Sequence, residues 1–166
     1  MLNGVPKKPS KEEEEDIIDE LLDLFLLAYS NGCEDANDML GTEIAPTYAE
    51  MHDSIYRKVA GKDFVQRVSE YLPECAIEDI MRVADTDMHR IYNEGSFTTA
   101  TLGGAKYKTW RTMLDDRVRD THQYLEGTTV PINAEFYTYD GDHAMYPGMF
   151  ELPENSINCR CVLTYT

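Results

Sequence analysis

The stretch from Trp110 to Gly127 reads WRTMLDDRVRDTHQYLEG, and it concentrates residue types that can do more than pack. Two aspartates, two arginines, a further aspartate and a histidine lie close together in it. A second unusual cluster, NCRC at 158–161 (the NCRC segment), follows near the end of the chain. One charged stretch is typical of a solvated surface, but two clusters with so many functional residue types indicate groups that meet in the fold.

The pattern within this stretch predicts a strand, a turn and a short helix. Aromatic and β-branched residues from Lys106 to Thr112 suit a pleated strand. Leu114 to Asp116 is interpreted as a turn, and Arg117 to Leu125 as a helix that Gly127 closes. Apolar positions three and four apart place His122 on the inward face of that helix.

The residues before this strand favour helices. Ser10 and Glu13 form a capping-box pattern that begins a helix, and Asn31-Gly32 would end it. A polar segment with little structure is expected at 33–46. Two shorter helices follow, from Tyr48 towards Gly61 and, after an Asp63 cap, from Phe64 to Leu72.

The longest helix is predicted from Cys75 to about Leu102, and Gly95 is expected to loosen or kink it. Its apolar stripe would face the core, and the stripe comprises Ile77, Ile80, Met81, Ala84, Met88, Ile91 and Tyr92. A glycine pair then ends the helix before the strand begins.

The C-terminal part is predicted to be mainly extended. A short strand spans Thr128 to Ile132, an aromatic-rich loop runs from Asn133 to Pro153, and a last strand covers Ile157 to Tyr165. The fold class is therefore α+β, with N-terminal helices packed on a small C-terminal antiparallel sheet of three to five strands. Residues 1–9 would be a flexible lead-in and 10–166 a single domain, helical over 10–73.

Composition excludes several classes of protein. The 166 residues carry a formal net charge of −16, which disfavours a protein that coats nucleic acid. No apolar run is long enough to cross a membrane and the first ten residues lack a signal-peptide pattern, so an intracellular protein is expected. Four cysteines are too few for a disulfide scaffold, which favours reduced thiols or a metal site.

The two clusters suggest a metal site. Residues i and i+2 of a strand share a face, so Cys159 and Cys161 would present both thiols together and Arg160 would face the other side. With an inward His122 they supply three ligands of the kind zinc prefers. The fourth ligand would be Asp115, Asp116 or His143.

Two other interpretations of the same residues stay open. The cysteines can be small buried apolar residues beside a hydrogen-bonded His122 that orients the long loop, or they can form a disulfide, for which i,i+2 spacing in a strand is near the upper limit. No cofactor is required by the first of these.

The charged residues of the stretch also allow two interpretations. Arg117 and Arg119 can pair with Asp115, Asp116 and Asp120 and so brace the short helix. Alternatively, His122 with Arg117 and Arg119 could act on a phosphodiester, as in a small α+β nuclease. The sequence shows no convincing nicotinamide site or catalytic glutamate motif for an ADP-ribosyl transferase.

The order of these motifs resembles a known family. The chain is similar to the head-morphogenesis domain of tailed phages, the minor head protein family typified by protein F of phage Mu. The matching positions are Trp110, Thr112, Asp115, Arg117, Val118, Arg119, His122, Leu125, Gly127, Val130, Pro131, Tyr146, Pro147, Gly148, Asn158, Cys159, Arg160 and Cys161. The lead-in ADTDMHRIYNEG at 84–95 is also similar to that of the family, which commonly reads A-R-T-E followed by an N-x-G pattern, although Asp85 replaces the usual basic residue.

The resemblance covers roughly Glu78 to Thr166, so residues 74–166 would form the family-like core of the domain, and it implies a function. Family members are low-copy minor capsid proteins at the portal or head interior. It therefore implies a structural, non-enzymatic head-morphogenesis protein of a phage or prophage, made in the host bacterial cytoplasm and retained in the virion head. Its expected partners are the portal and other head proteins, with packaged DNA as a further contact, and the chain fits either a fragment of a longer protein or a compact member.

Overall fold

A computed structural model describes residues 7–166, so the lead-in predicted for residues 1–9 lies largely outside the described part. The helices are α1 Lys11–Leu40, α2 Tyr48–Ile55, α3 Phe64–Tyr71, a 3₁₀ turn at Leu72–Glu74, α4 Ile77–Leu102, α5 Asp120–Gln123 and α6 Pro153–Ser156. The strands are β1 Tyr107–Arg111, β2 Thr129–Pro131, β3 Phe136–Tyr137, β4 His143–Ala144 and β5 Val162–Tyr165. Helices precede a small antiparallel sheet, and the α+β prediction is confirmed.

Helix α1 begins as predicted but ends later. Ser10 and Glu13 form the expected reciprocal capping box. The predicted stop at Asn31-Gly32 is wrong, because Gly32 lies inside a helix that continues to Leu40 and is capped by Gly41 in the left-handed conformation. A side chain at Gly32 would collide with backbone atoms of Tyr92 and Ser96 in α4, so the glycine permits close helix packing rather than a helix end.

Helix α4 runs from Ile77 to Leu102, and the predicted loosening at Gly95 does not occur. A Cβ atom on Gly95 would lie 2.5 Å from the carbonyl oxygen of Tyr29 in α1. Gly32 and Gly95 therefore form a reciprocal contact that brings the two long helices together. This contact places α4 between the helical core and the sheet.

The apolar stripe predicted for α4 is only partly correct. Ile80 and Ile91 are buried, but Ile77, Met81 and Met88 are exposed. The buried positions instead include the polar residues Asp87, Arg90, Asn93, Glu94, Ser96 and Thr99. Much of the inward face of α4 is thus polar, which a search for apolar periodicity cannot detect.

The main sheet has the strand order β2-β1-β5, and both pairs are antiparallel. Trp110 in β1 is opposite Leu163 in β5, and Lys108 is opposite Val130 in β2. Strands β3 and β4 form a separate two-stranded hairpin within the segment predicted to be a loop. The predicted strands at 106–112 and 128–132 are confirmed as β1 and β2, with β2 at the sheet edge.

Two clusters of apolar side chains form the interior. One joins α1, α2, α3 and α4 around Phe25 and Phe64, and the other lies between the sheet, the long loop and α4 around Trp110. Lys108 lies in the second cluster, where its ammonium group donates to the carbonyl oxygen of Met145 at 2.7 Å. Burial lowers the pKa of Lys108 to about 8.

The functional elements are shorter than predicted. Helix α5 covers only Asp120 to Gln123, because Arg119 is its extended N-cap residue and Arg117 lies outside it. Strand β5 begins at Val162, so the NCRC segment precedes the strand, and Asn158 lies in a turn with a φ of 56°. None of the helices described over residues 7–166 combines the length and apolar character needed to cross a membrane.

Candidate functional site

The histidine and the two cysteines singled out by the sequence meet in the structure. His122 is 1% exposed, Cys159 4% and Cys161 3%. Nδ1 of His122 lies 3.6 Å from Sγ of Cys159 and 3.4 Å from Sγ of Cys161. The three potential ligand atoms lie within 4.8 Å of one another, and we call these residues the His–Cys cluster.

The two thiols of the cluster differ in acidity. A hydrogen bond from Cys161 and the nearby imidazole of His122 lower the pKa of Cys159 well below its usual value, although burial opposes the change. The pKa of Cys161 is raised, first by the interaction with Cys159 and then by burial. The two thiols are therefore hydrogen-bonded to each other as well as close to His122.

Two arginines attach the segment that carries the cysteines to the segment that carries the histidine. The guanidinium of Arg160 binds both carboxylate oxygens of Asp115, at 2.8 and 2.6 Å, and so faces away from the two thiols. Arg119 donates to the carbonyl oxygens of Glu154 and Ile157, the second at 2.6 Å. The hydrogen bonds from Arg160 are the main reason why the pKa of the Asp115 carboxyl lies below its usual value.

Helix α4 holds the NCRC segment from its other side. The carbonyl oxygen of Cys161 accepts from Nδ2 of Asn93 at 3.1 Å and lies 2.8 Å from Nε2 of His89. Thr86 accepts from the backbone N–H of Asn158 at 3.1 Å. Sequence reasoning assigned none of these three a role, although Asn93 is the asparagine of the N-x-G pattern in the lead-in.

Aromatic rings surround the imidazole. The ring of Trp110 packs edge-on against His122 with the centroids 5.4 Å apart, and Phe150 lies at the same distance. Nε2 of His122 is buried and has no hydrogen-bond partner among residues 7–166. Packing therefore fixes the ring and directs Nδ1 towards the two sulfurs.

The other predicted ligands lie elsewhere. Asp115 is bound to Arg160, Asp116 is exposed, and His143 lies in β4 with its Nδ1 3.2 Å from a carboxylate oxygen of Glu135. The ion pairs around the short helix also differ from the predicted ones. Arg117 is largely exposed and approaches Asp115 only to 3.9 Å, whereas Arg119 binds carbonyl oxygens instead of aspartates.

A cavity of about 10 Å³ adjoins the cluster, and its lining includes Arg117, Arg119, Asn158 and the three cluster residues. That volume holds about one water molecule or ion. A phosphodiester does not fit beside the buried imidazole, so the geometry does not favour the nuclease interpretation. It does suit a small ligand bound between nitrogen and sulfur atoms.

Comparison with known proteins identifies the family. The family model for "Phage Mu protein F like protein" matches residues 42–164, a range that contains α2 to α6, most of β5 and the whole His–Cys cluster. The chain belongs to this family. The resemblance inferred from the spaced motifs is thereby confirmed, and the match extends further towards the N-terminus than the motifs did.

Two curated proteins are similar in sequence to part of this phage Mu protein F like chain. Minor head protein GP7 of Bacillus phage SPP1 is 31% identical over 85 residues, covering 49% of this chain and 28% of that protein. NAD(+)--arginine ADP-ribosyltransferase EFV of Enterococcus faecalis is 33% identical over 92 residues, covering 53% of this chain and 19% of that protein. The chain thus spans less than a third of either relative. Comparison with solved structures found no significant match.

A second, larger cavity of about 510 Å³ lies between α3, α4 and the loop before α6. Its lining includes five basic residues: Arg57, Lys58, Arg67, Arg82 and Arg90. Four of them form salt bridges within this phage Mu protein F like chain. Glu94 binds Arg57 and Arg90, Asp87 binds Arg67, and Asp79 binds Arg82. Arg57, Arg67 and Arg90 therefore compensate the carboxylates of Asp87 and Glu94, which are almost fully buried. The four paired arginines do not form a free basic surface.

Asp142 anchors the long loop beside the site. Its carboxylate accepts backbone N–H groups of His143, Glu151 and Leu152 and the side-chain amide of Asn155, at 2.9 to 3.1 Å. Burial raises the pKa of Asp142, but these donors outweigh burial and leave the pKa below its usual value. Asn155 in turn accepts from Thr121 in α5, so the anchor connects the loop to the histidine-bearing helix.

The Asp142→Asn variant is expected to lose about 1–3 kcal/mol of unfolding free energy at neutral pH, because a charged acceptor of several buried donors is removed. A depressed folded-state pKa contributes stability that is complete above the unfolded value near 4 and is lost as pH falls through the folded value. The difference between variant and wild type should therefore shrink from pH 6 towards pH 3. Urea denaturation at both pH values checks this, and a difference independent of pH would contradict it.

Proposed function

We propose that this chain is a structural component of a phage head that acts in head assembly near the portal. The observation that carries the proposal is the family match over residues 42–164, together with similarity to a protein named as a minor head protein. The portal location and assembly in the host cytoplasm follow from what the family resemblance implies. The partners would be the portal and other head proteins.

The site geometry supports a structural rather than catalytic role. His122 is buried among Trp110, Phe150 and the two cysteines, and its neighbouring cavity holds only one small molecule. A general acid or base must come within hydrogen-bonding reach of its substrate. The ADP-ribosyltransferase relative does not change this proposal, because the match covers 19% of that protein.

Contact with packaged DNA receives little support. Duplex binding requires cations that can replace counterions at phosphates. The net charge is −16, and the arginines around the larger cavity are paired with Asp79, Asp87 and Glu94. Protein partners in the head therefore fit the surface better than DNA does.

Exposed aromatic rings offer a surface for such a partner. Tyr124, Tyr137 and Tyr139 are 63%, 59% and 61% exposed, and the rings of Tyr124 and Tyr139 meet edge-on at 5.9 Å. Solvent-exposed tyrosines are frequent anchors of protein interfaces. We assign these three residues, the tyrosine patch, to contact with another head protein.

The test is a complementation experiment in the phage or prophage that encodes the chain. Deleting the gene should reduce the yield of infectious particles at least about tenfold, and wild-type protein supplied in trans should restore it and be recovered in purified heads. A Tyr124→Ser/Tyr139→Ser variant should restore the yield poorly, although its Tm matches that of wild type. Tyr48→Ser, which alters a 74% exposed tyrosine on α2, is the matched control and should restore it fully.

The outcomes separate the two parts of the proposal. A deletion that leaves particle yield and head composition unchanged would refute the assembly function itself. Full rescue by the double tyrosine variant would refute only the tyrosine patch. Cross-linking of purified heads followed by mass spectrometry tests the portal location, which requires cross-links between this chain and the portal protein.

A further inference from the structure

The distances within the His–Cys cluster match those of a metal site. With Zn–N near 2.0–2.1 Å and Zn–S near 2.3 Å, tetrahedral angles place nitrogen and sulfur ligands about 3.5–3.6 Å apart. Nδ1 of His122 lies 3.6 and 3.4 Å from the sulfurs of Cys159 and Cys161. Both nitrogen–sulfur distances are therefore those of ligands that share one ion, and all three atoms lie within 4.8 Å of one another.

Hydrogen bonds alone account less well for this arrangement. A neutral imidazole nitrogen has one lone pair and accepts one in-line donor. Both sulfurs nevertheless lie at nearly equal distances from the same Nδ1 atom. A thiol bonded to Nδ1 leaves the second sulfur bonded only to the first thiol, whereas a metal ion bound by all three atoms explains why both sulfurs approach the nitrogen.

An ion bound in this buried place would also be electrically balanced. Cys159 and Cys161 are each less than 5% exposed, so two thiolates there require a cation beside them. A divalent cation with two thiolates and one imidazole is electrically neutral. Nitrogen and thiolate sulfur are the donors that zinc prefers over magnesium or calcium.

The surrounding structure holds the ligands in place before any ion binds. Asp115 fixes Arg160 between the two cysteines, and Asn93 binds the carbonyl oxygen of Cys161. Trp110 and Phe150 fix the imidazole by packing, since its Nε2 lacks a hydrogen-bond partner among the described residues. The cavity of about 10 Å³ beside the cluster provides room for one water molecule as a fourth ligand.

We propose that His122, Cys159 and Cys161 bind one zinc ion, which fastens the last strand and its preceding segment to helix α5. The site is structural, with a small molecule such as water completing the coordination. The proposal does not rest on the assembly function, because it concerns the chemistry of three side chains in the isolated protein.

The experiment is a metal titration of the reduced full-length chain prepared without a metal-binding tag. After chelator treatment and removal of the chelator, Zn²⁺ should bind at about one equivalent per chain and raise Tm. Co²⁺ should give an intense near-ultraviolet band from thiolate-to-cobalt charge transfer. The Cys159→Ser/Cys161→Ser variant should retain less than about a tenth of the bound zinc and lose the cobalt band.

Cys75→Ser is the matched control, because Cys75 is a free cysteine outside the cluster, and it should behave like wild type. The proposal is overturned if folded wild-type protein shows no cobalt band and takes up no zinc, a result that does not depend on how any variant folds. It is equally overturned if the double variant, shown to be folded by circular dichroism, retains one equivalent of zinc.

Discussion

Replacing Gly32 by alanine is expected to lower the free energy of unfolding by about 3 kcal/mol, at the upper end of typical overpacking costs. The new methyl group would lie 2.9 Å from the backbone nitrogen of Ser96 and closer still to the carbonyl oxygen of Tyr92. These are backbone atoms of α4 and cannot rotate away. The two long helices would have to separate, and the midpoint of urea denaturation reports the loss.

Gly41→Ala is the matched control at the end of the same helix. Gly41 has a φ of 65°, but a Cβ atom there would meet nothing within 4 Å, so only the left-handed backbone conformation is penalised. That penalty is about 1–2 kcal/mol. If Gly32→Ala costs no more than Gly41→Ala, the close helix contact does not have the importance assigned to it.

Local signals in the sequence were sufficient for much of the fold. The predicted capping residues Ser10 and Asp63 act within their own turn, and each accepts from the backbone N–H three residues on. Strand β1 follows from local composition in the same way. Gly32 misled the prediction because a glycine that ends a helix and one that admits a neighbouring helix look alike until the neighbour is known.

The candidate site, like the fold, could be predicted from the sequence only in part. The structure buries His122, Cys159 and Cys161 as expected and turns Arg160 towards Asp115, although the two cysteines lie just before β5 and not in a strand. The residues that support them could not be predicted, since Asn93 and His89 lie on a helix about 70 positions earlier in the chain. The N-x-G pattern was the available signal, and its asparagine binds the NCRC segment while its glycine contacts α1.

Periodicity also fails on the inward face of α4, where charged residues take the place of apolar ones. Glu94 accepts hydrogen bonds from Ser54, Arg57 and Arg90, and Asp87 binds Arg67 and lies beside Arg90. A stripe of apolar residues is the usual sign of a helix face that packs. Here a compensated set of buried charges packs instead, and only the three-dimensional neighbours show the compensation.

The Glu94→Ala variant is accordingly expected to lose about 3–5 kcal/mol of unfolding free energy, because removing one partner leaves a buried charge uncompensated. Three arginines, Arg57, Arg67 and Arg90, would remain with Asp87 as their sole carboxylate partner within this cluster. Arg90 is 2% exposed, so hydration by bulk water does little to stabilise its charge. Urea denaturation measured at neutral pH and low ionic strength gives the difference.

The Asp79→Ala variant provides the comparison, because Asp79 pairs with Arg82 on the same helix but both side chains are over a third exposed. Exposed pairs contribute about 0–1 kcal/mol, so this variant should stay close to wild type. Glu94→Gln keeps the size and one acceptor oxygen and should fall between the two. Equal stabilities for Glu94→Ala and Asp79→Ala would mean that water or rearranged side chains compensate the arginines. In that case the polar face of α4 does not stabilise the junction between the helices and the sheet.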